Sequence, residues 1–311
     1  MALHRDARTA LGNLQVDLTT VKVSQVLEAA GVSYVLLKGP SIAEWLYEEP
    51  SRRQYTDTDL LVNPSDISRA LDCLRSLAFR LPLEHASRFE QDGHSVLSHP
   101  PSGSLYCEVD LHYTLPGADA PPDVLWQTLS AHLSTQNVLS QPIVVLDEVG
   151  RALAIVLHAA RNGPQDSKST DDLVRLLAIP MSWPDVASLA TKVGAEPALA
   201  RGLGLVAEGV AVRESLRLTR RRNVETELRE ADAPALAFGF ERLSNTQGTR
   251  QRLGLLGREL WPSPAFLQFW AERAQLPLTS LWRLRFVRLS YVLREGPPAA
   301  WSWAKVRRRA R

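Results

Sequence analysis

The sequence predicts an α/β (α+β) chain: an N-terminal unit with a small mixed sheet and flanking helices, followed by a mostly α-helical domain. Three observations carry this. Short β-rich runs alternate with helical spacings over residues 1–147. Every segment over 148–311 is helical in period or composition. The 311 residues are 45% hydrophobic and 23% charged, the balance of a globular chain able to bury a sizeable core.

The elements follow in order. Residues 21–30 place Val21, Val23, Val26, Leu27 and Ala30 at helical spacing, and Gly31 stops the helix. Residues 34–37 form a short strand ended by Lys38 and Gly39. Residues 41–47 resume a helix, with Pro40 in its first turn, where the missing N–H costs nothing. A polar loop, 50–56, precedes a second strand at 57–62. Asn63-Pro64-Ser65-Asp66 then reads as a turn feeding an N-cap, and 67–77 is an amphipathic helix. Residues 79–88 match no period. Residues 95–99 and 105–115 read as strands parted by a Pro-Pro-Ser-Gly turn. A helix over 124–133 and a last strand over 142–146 complete the unit. Helices are then predicted at 148–160, 170–177, 183–193, 196–212, 226–243, 264–274 and 281–293. The domain boundary is set at Asp147, giving 1–147 and 148–311.

Several classes are set aside. No apolar run is long enough to span a bilayer. Residues 1–17 are polar and mixed in charge, unlike a secretory signal. With only Cys73 and Cys107, a disulfide framework is not expected, and a cytoplasmic location fits best. A net charge of +2 does not mark a general polyanion binder. The arginine clusters at 217–222 and 305–311 read as a solvated helix face and a tail, with nucleic-acid binding the less favoured reading. Zinc spacings, a nucleophile elbow, a Walker loop and the dinucleotide glycine fingerprint are all missing.

The chemistry-bearing residues lie on two strands. Alternate strand residues share a face, so Asp57 and Asp59 point together while Thr58 and Leu60 point into a core. Two carboxylates on one face repel unless a cation lies between them. Mg²⁺ suits such a pair because it takes few protein carboxylates and leaves room for phosphate oxygens. Glu108, Asp110 and His112 share one face of the later strand. If the two strands are neighbours, Asp110 completes a three-carboxylate site suited to in-line displacement at a nucleotide α-phosphate. The alternative is a solvated strand edge. The turn through Lys38, Gly39 and Ser41 offers close backbone approach, a point charge and a hydroxyl to an anion, or is an ordinary strand-to-helix turn. Arg53 is a bidentate phosphate grip or a surface arginine. His112 orients a substrate or is a strand-end histidine held by a neighbour. His158 is a core or capped histidine, or faces a cleft together with Lys168 from the polar stretch 166–172.

Together, Leu37-Lys38-Gly39, then Arg53, then Asp57-Thr58-Asp59-Leu60-Leu61-Val62, then Val109-Asp110-Leu111-His112 resemble the uncharacterised bacterial nucleotidyltransferase family of the polymerase-beta-like superfamily. The motif-bearing resemblance covers 34–115. It implies a nucleotidyltransferase-type mixed sheet and a metal-dependent enzyme using Mg²⁺ or Mn²⁺, with an NTP such as ATP as co-substrate. It implies that Asp57, Asp59 and Asp110 hold metal, that Asp110 is the possible base, and that Gly39 and its neighbours hold the triphosphate. Lys38, Ser41 and Arg53 complete the nucleotide side; Glu108, His112, His158 and Lys168 are left as supporting or acceptor-side candidates. One departure is clear. The superfamily usually has Gly-Gly or Gly-Ser where this chain has Gly39-Pro40, so a hydroxyl in the second position is missing. The expected reaction moves a nucleoside monophosphate to a hydroxyl of a small molecule, peptide natural product, protein or RNA. The rival expectation is a non-catalytic nucleotide- or nucleic-acid-binding protein that keeps the fold.

Overall fold

The computed structural model describes residues 2–80, 95–218, 224, 227–228, 231, 233–245, 248–262, 264, 267, 270–271, 276 and 280–310. The chain forms two compact units, one of residues 1–82 with 92–220, the other of 83–91 with 221–311. The first unit therefore runs past Asp147 and takes in the helices up to Ser215. Of the expected segments, 81–88 and parts of 226–243 and 264–274 lie outside the described residues, as does most of the arginine cluster at 217–222.

The first unit opens with α1, Ala2–Ala29, far longer than the helix expected at 21–30. Its buried face is half polar, with Asn13, Thr19, Thr20 and Ser24 buried beside Val16, Val23 and Leu27. A face of that kind has no hydrophobic period, so only the last turns were visible in the sequence. It is satisfied by hydrogen bonds. Thr20 Oγ1 meets Thr58 Oγ1 at 3.0 Å, and Thr19 Oγ1 accepts from the Cys107 N–H at 2.9 Å. Asn13 donates to the Arg53 carbonyl at 2.9 Å and accepts from the Tyr55 N–H at 3.2 Å.

Six strands follow, with helices between them: β1 Tyr34–Leu36, α2 Pro40–Leu46, β2 Asp57–Val62, α3 Ile67–Ser76, β3 Ser95–Ser98, β4 Glu108–His112, α4 Pro122–Leu129, β5 Leu133–Val138 and β6 Gln141–Leu146. Their order in the sheet is β3-β4-β2-β1-β6-β5. β1 is antiparallel to β2 and parallel to β6, while β2 is parallel to β4. The sheet is thus mixed, as expected. The strand β5 corrects the sequence reading, which ended a helix at Leu133. Its residues are mostly polar and exposed, and it joins β6 through Leu139-Ser140, both with positive φ (48° and 66°). Hairpin turns of that kind usually advertise themselves as Asn-Gly, and this one does not.

Among the described residues, five further helices belong to the unit: α5 Glu148–Asn162, α6 Ser167–Ala178, α7 Trp183–Lys192, α8 Glu196–Leu203 and α9 Ala207–Ser215. The helix expected over 196–212 is two. The chain turns at Gly204, and Gly209 then lies so close to the Leu203 carbonyl that a side chain there would collide with it. α5 is buried along most of its length, and Leu153, Val156 and Leu157 share one apolar cluster with Val35, Leu37 and Leu61 of the sheet side.

The second unit contains α10 Ala235–Asn245, α11 Thr249–Leu260 and α12 Leu281–Ala310. α12 continues well beyond the expected 281–293, through Pro297-Pro298. Among the described residues no helix is long and apolar enough to cross a membrane.

Candidate active site

The site is built from the register of two strands. Because β2 and β4 run parallel with Asp57 opposite Glu108, Asp59 falls opposite Asp110 and Leu61 opposite His112. The intervening Thr58, Leu60, Val109 and Leu111 are buried on the other face and fix that register, since a slip of one residue would drive carboxylates into the core. The neighbouring-strand condition set by the sequence is therefore met.

The Leu37 N–H donates to the Asp59 carbonyl at 3.0 Å, carrying the β1–β2 pairing one residue beyond the strand. That contact brings Lys38 alongside, and its ammonium lies 3.1 Å from Asp59 Oδ1. His112, buried on β4, sends Nε2 to Asp59 Oδ1 at 3.0 Å and to Asp110 Oδ2 at 3.3 Å. Burial would push the Asp59 carboxyl up, but Lys38 and His112 outweigh it and hold the group well below the usual carboxylate range. Asp57 has less help. Burial and then the Asp59 charge push it up, with Lys38 and Lys168 opposing.

Among the described residues, Asp59, Asp110 and His112 form the compact set, with ligand atoms all within 4.8 Å of one another. Asp57 stands outside it, two residue pairs along the strand, yet near enough to respond to both other carboxylates. One observation bears on whether a cation could sit there: Asp110 Oδ1 is buried and has no hydrogen-bond partner in the structure. A carboxylate oxygen left so is costly unless something positive completes it.

The glycine turn has the shape the sequence required of it. Gly39 has φ 70° and ψ −125°, a conformation closed to residues with a Cβ, and it caps α2 with Pro40 next in line. Ser41 is buried and its hydroxyl donates to the Lys38 carbonyl at 3.2 Å, so it braces the turn from inside. Tyr55 packs its ring on Gly39.

Arg53 is not a surface arginine. It is 3% exposed and forks onto Asp172 of α6, Nε to Oδ1 at 2.8 Å and Nη2 to Oδ2 at 2.7 Å, while Nη1 donates to the Gly39 carbonyl at 3.3 Å. Tyr47 Oη lies 2.8 Å from both Asp171 Oδ2 and Asp172 Oδ1. Asp172 and Tyr47 were missed as members of this arrangement. Nothing local marks them, because the partners are 119 and 125 residues apart.

The helices add two more groups. His158 on α5 is drawn down to about 3, first by burial and then by the Lys38 charge, so its ring is neutral. It also responds to the charges of Asp59, Asp166 and Lys168, and its Nε2 lies 3.3 Å from Asn162 Nδ2. Lys168 is exposed, but burial of its ammonium and the Arg53 charge lower it against the pull of Asp172, Asp57 and Asp59. Asp166 caps α6 by accepting from the Lys168 N–H. Glu108 meets Nδ1 of His99, the residue just after β3, at 2.7 Å.

No curated protein matches the chain. Several solved structures are similar, three of them as follows. One is the solution structure of the antibiotic-resistance factor ANT(2'')-Ia, 13% identical, covering 65% of this chain and 90% of that one, TM-score 0.38. The second is an antigenic nucleotidyltransferase-like protein from Paracoccidioides brasiliensis, 15% identical, covering 65% and 92%, TM-score 0.41. The third is the lincosamide antibiotic adenylyltransferase LnuA with lincomycin bound, 15% identical, covering 50% and 92%, TM-score 0.33. Likenesses this distant say nothing of what this chain acts on. The family model described as uncharacterised nucleotidyltransferase matches residues 3–210, a stretch that includes both acidic strands, the glycine turn and the helices carrying His158, Lys168 and Asp172. The protein therefore belongs to the uncharacterised nucleotidyltransferase family.

Proposed function

We propose that the chain moves a nucleoside monophosphate from an NTP to a hydroxyl acceptor in the cytoplasm, using Mg²⁺ or Mn²⁺. The observation that carries this is the Asp59–Asp110 register pair with its unpartnered Asp110 oxygen. In this reading Asp59 and Asp110 hold the cation, and Asp57 completes the set. The cation when bound would neutralise the carboxylates and engage phosphate oxygens. Lys38 and the turn at Gly39 receive the triphosphate, with Ser41 and Arg53 holding the turn in shape from behind. Lys168 and the neutral His158 border the acceptor side, so residues 1–147 supply nucleotide and metal and the following helices supply the acceptor surface.

The reaction forms a bond from the acceptor oxygen to the α-phosphorus and breaks the bond from that phosphorus to the bridging oxygen of the departing pyrophosphate. The hydroxyl proton passes to a carboxylate, in this reading Asp110. Most of the rate comes from alignment and charge neutralisation. The test is incubation with each α-labelled NTP, Mg²⁺ and cell extract. Label should transfer to an acceptor, and the double change Asp57→Ala with Asp59→Ala should reduce transfer about a thousandfold while the far-ultraviolet spectrum is kept. Nucleotide bound without transfer, under every NTP and either cation, would make this a binding protein.

A further inference from the structure

The helix α12 presents an apolar stripe that its own packing does not use. Trp282, Phe286, Leu289 and Leu293 are spaced four, three and four residues apart, so they share an arc of about 60°. Trp282 is 69% exposed, Phe286 72% and Leu293 68%. The buried residues of the same stretch, Leu284 and Arg288, lie roughly 140° further round the helix. The stripe is extended at one end by Trp261, the residue capping α11, which is 60% exposed and meets Trp282 edge-on at 6.0 Å between ring centres. Arg285 lies over both rings, 4.6 Å from one and 5.4 Å from the other.

The charge of this helix is mostly basic. α12 carries eight basic residues and one acidic residue, Glu295. By helical position Arg285 flanks the stripe on one side and Arg283 and Arg294 on the other. Exposed indole and phenyl rings bordered by arginines are what an anionic bilayer surface takes up. The rings enter the headgroup boundary and the guanidinium groups meet lipid phosphates. The same flanks argue against a second copy of the chain as occupant, because two such faces would set arginine against arginine.

We propose that the α12 stripe docks the protein on anionic membrane surfaces, lying in the interface without crossing it. This does not depend on the reaction proposed above. The test is cosedimentation of the full chain with phosphatidylcholine vesicles made with and without phosphatidylglycerol, at low and high salt. The chain should pellet with the anionic vesicles only and be released by salt. Trp282→Ala with Phe286→Asp should weaken that partition about tenfold or more. Both side chains are largely exposed, so the double variant should keep its thermal melt; Arg283→Glu with Arg294→Glu gives an independent second probe. Failure to pellet, or equal pelleting of wild type and both variants, overturns the proposal. So does a concentration-dependent dimer that Phe286→Asp dissociates without any vesicle binding.

Discussion

At the scale of single residues, the site is a set of unlike carboxylates. Asp59 is held ionised by Lys38 and His112, Asp57 is pushed the other way, and one oxygen of Asp110 has no partner. Neutral His158 gives this neighbourhood a signature in the pH dependence of stability. Its folded value of about 3 lies below the ordinary 6.5. Between those values the unfolded chain binds a proton that the folded chain refuses. The His158 contribution is therefore complete above pH 6.5 and falls away as pH drops toward 3. His158→Gln removes that titration. Its stability relative to wild type should improve as the pH is lowered through this window, read from urea midpoints at a series of pH values. A difference that stays constant with pH would place His158 in open solvent. The strand pattern announced Asp57, Asp59 and Asp110, because alternation is a local rule. The sequence singled out Arg53 but not its burial, which depends on a partner in another element.

At the scale of elements, the Arg53–Asp172 fork ties α6 to the loop before β2, and the same arginine holds the Gly39 carbonyl. Both partners are about as buried as the apolar core. Removing one leaves the other charged and unpaired, which typically costs about 3–5 kcal/mol. Asp172→Asn or Arg53→Met alone should therefore lower the thermal midpoint sharply. Arg53→Met with Asp172→Leu should recover much of that loss, with a coupling of about 2 kcal/mol or more in the double-mutant cycle. Additive losses would show that the fork is dispensable. Transfer should fall in the double variant even where stability returns, because the Gly39 turn loses its brace. The helix α1 and the strand β5 show where element-level reading stops. One packs a polar face through hydrogen bonds and the other is a polar edge behind a turn without glycine or asparagine. Neither carries the apolar period by which elements are recognised.

At the scale of the whole molecule, the first unit owns a continuous apolar cluster drawn from residues between Val35 and Leu218. The family match ends at residue 210, inside that unit. A fragment of residues 1–220 should consequently melt as one cooperative transition and keep whatever NTP binding the full chain shows. Broad, non-cooperative melting of the fragment would show that the second unit is needed for the first to fold. The two acidic strands, the glycine turn and the run of later helices were legible from the sequence alone, because each depends on residues no more than a few positions apart. Periodicity, capping and backbone freedom act at that range. Which strands lie side by side, which histidine bridges two carboxylates, and which aspartate disarms an arginine 119 positions away were decided only by the folded chain. Those pairings join residues far apart in sequence, and only burial and charge balance in three dimensions select them.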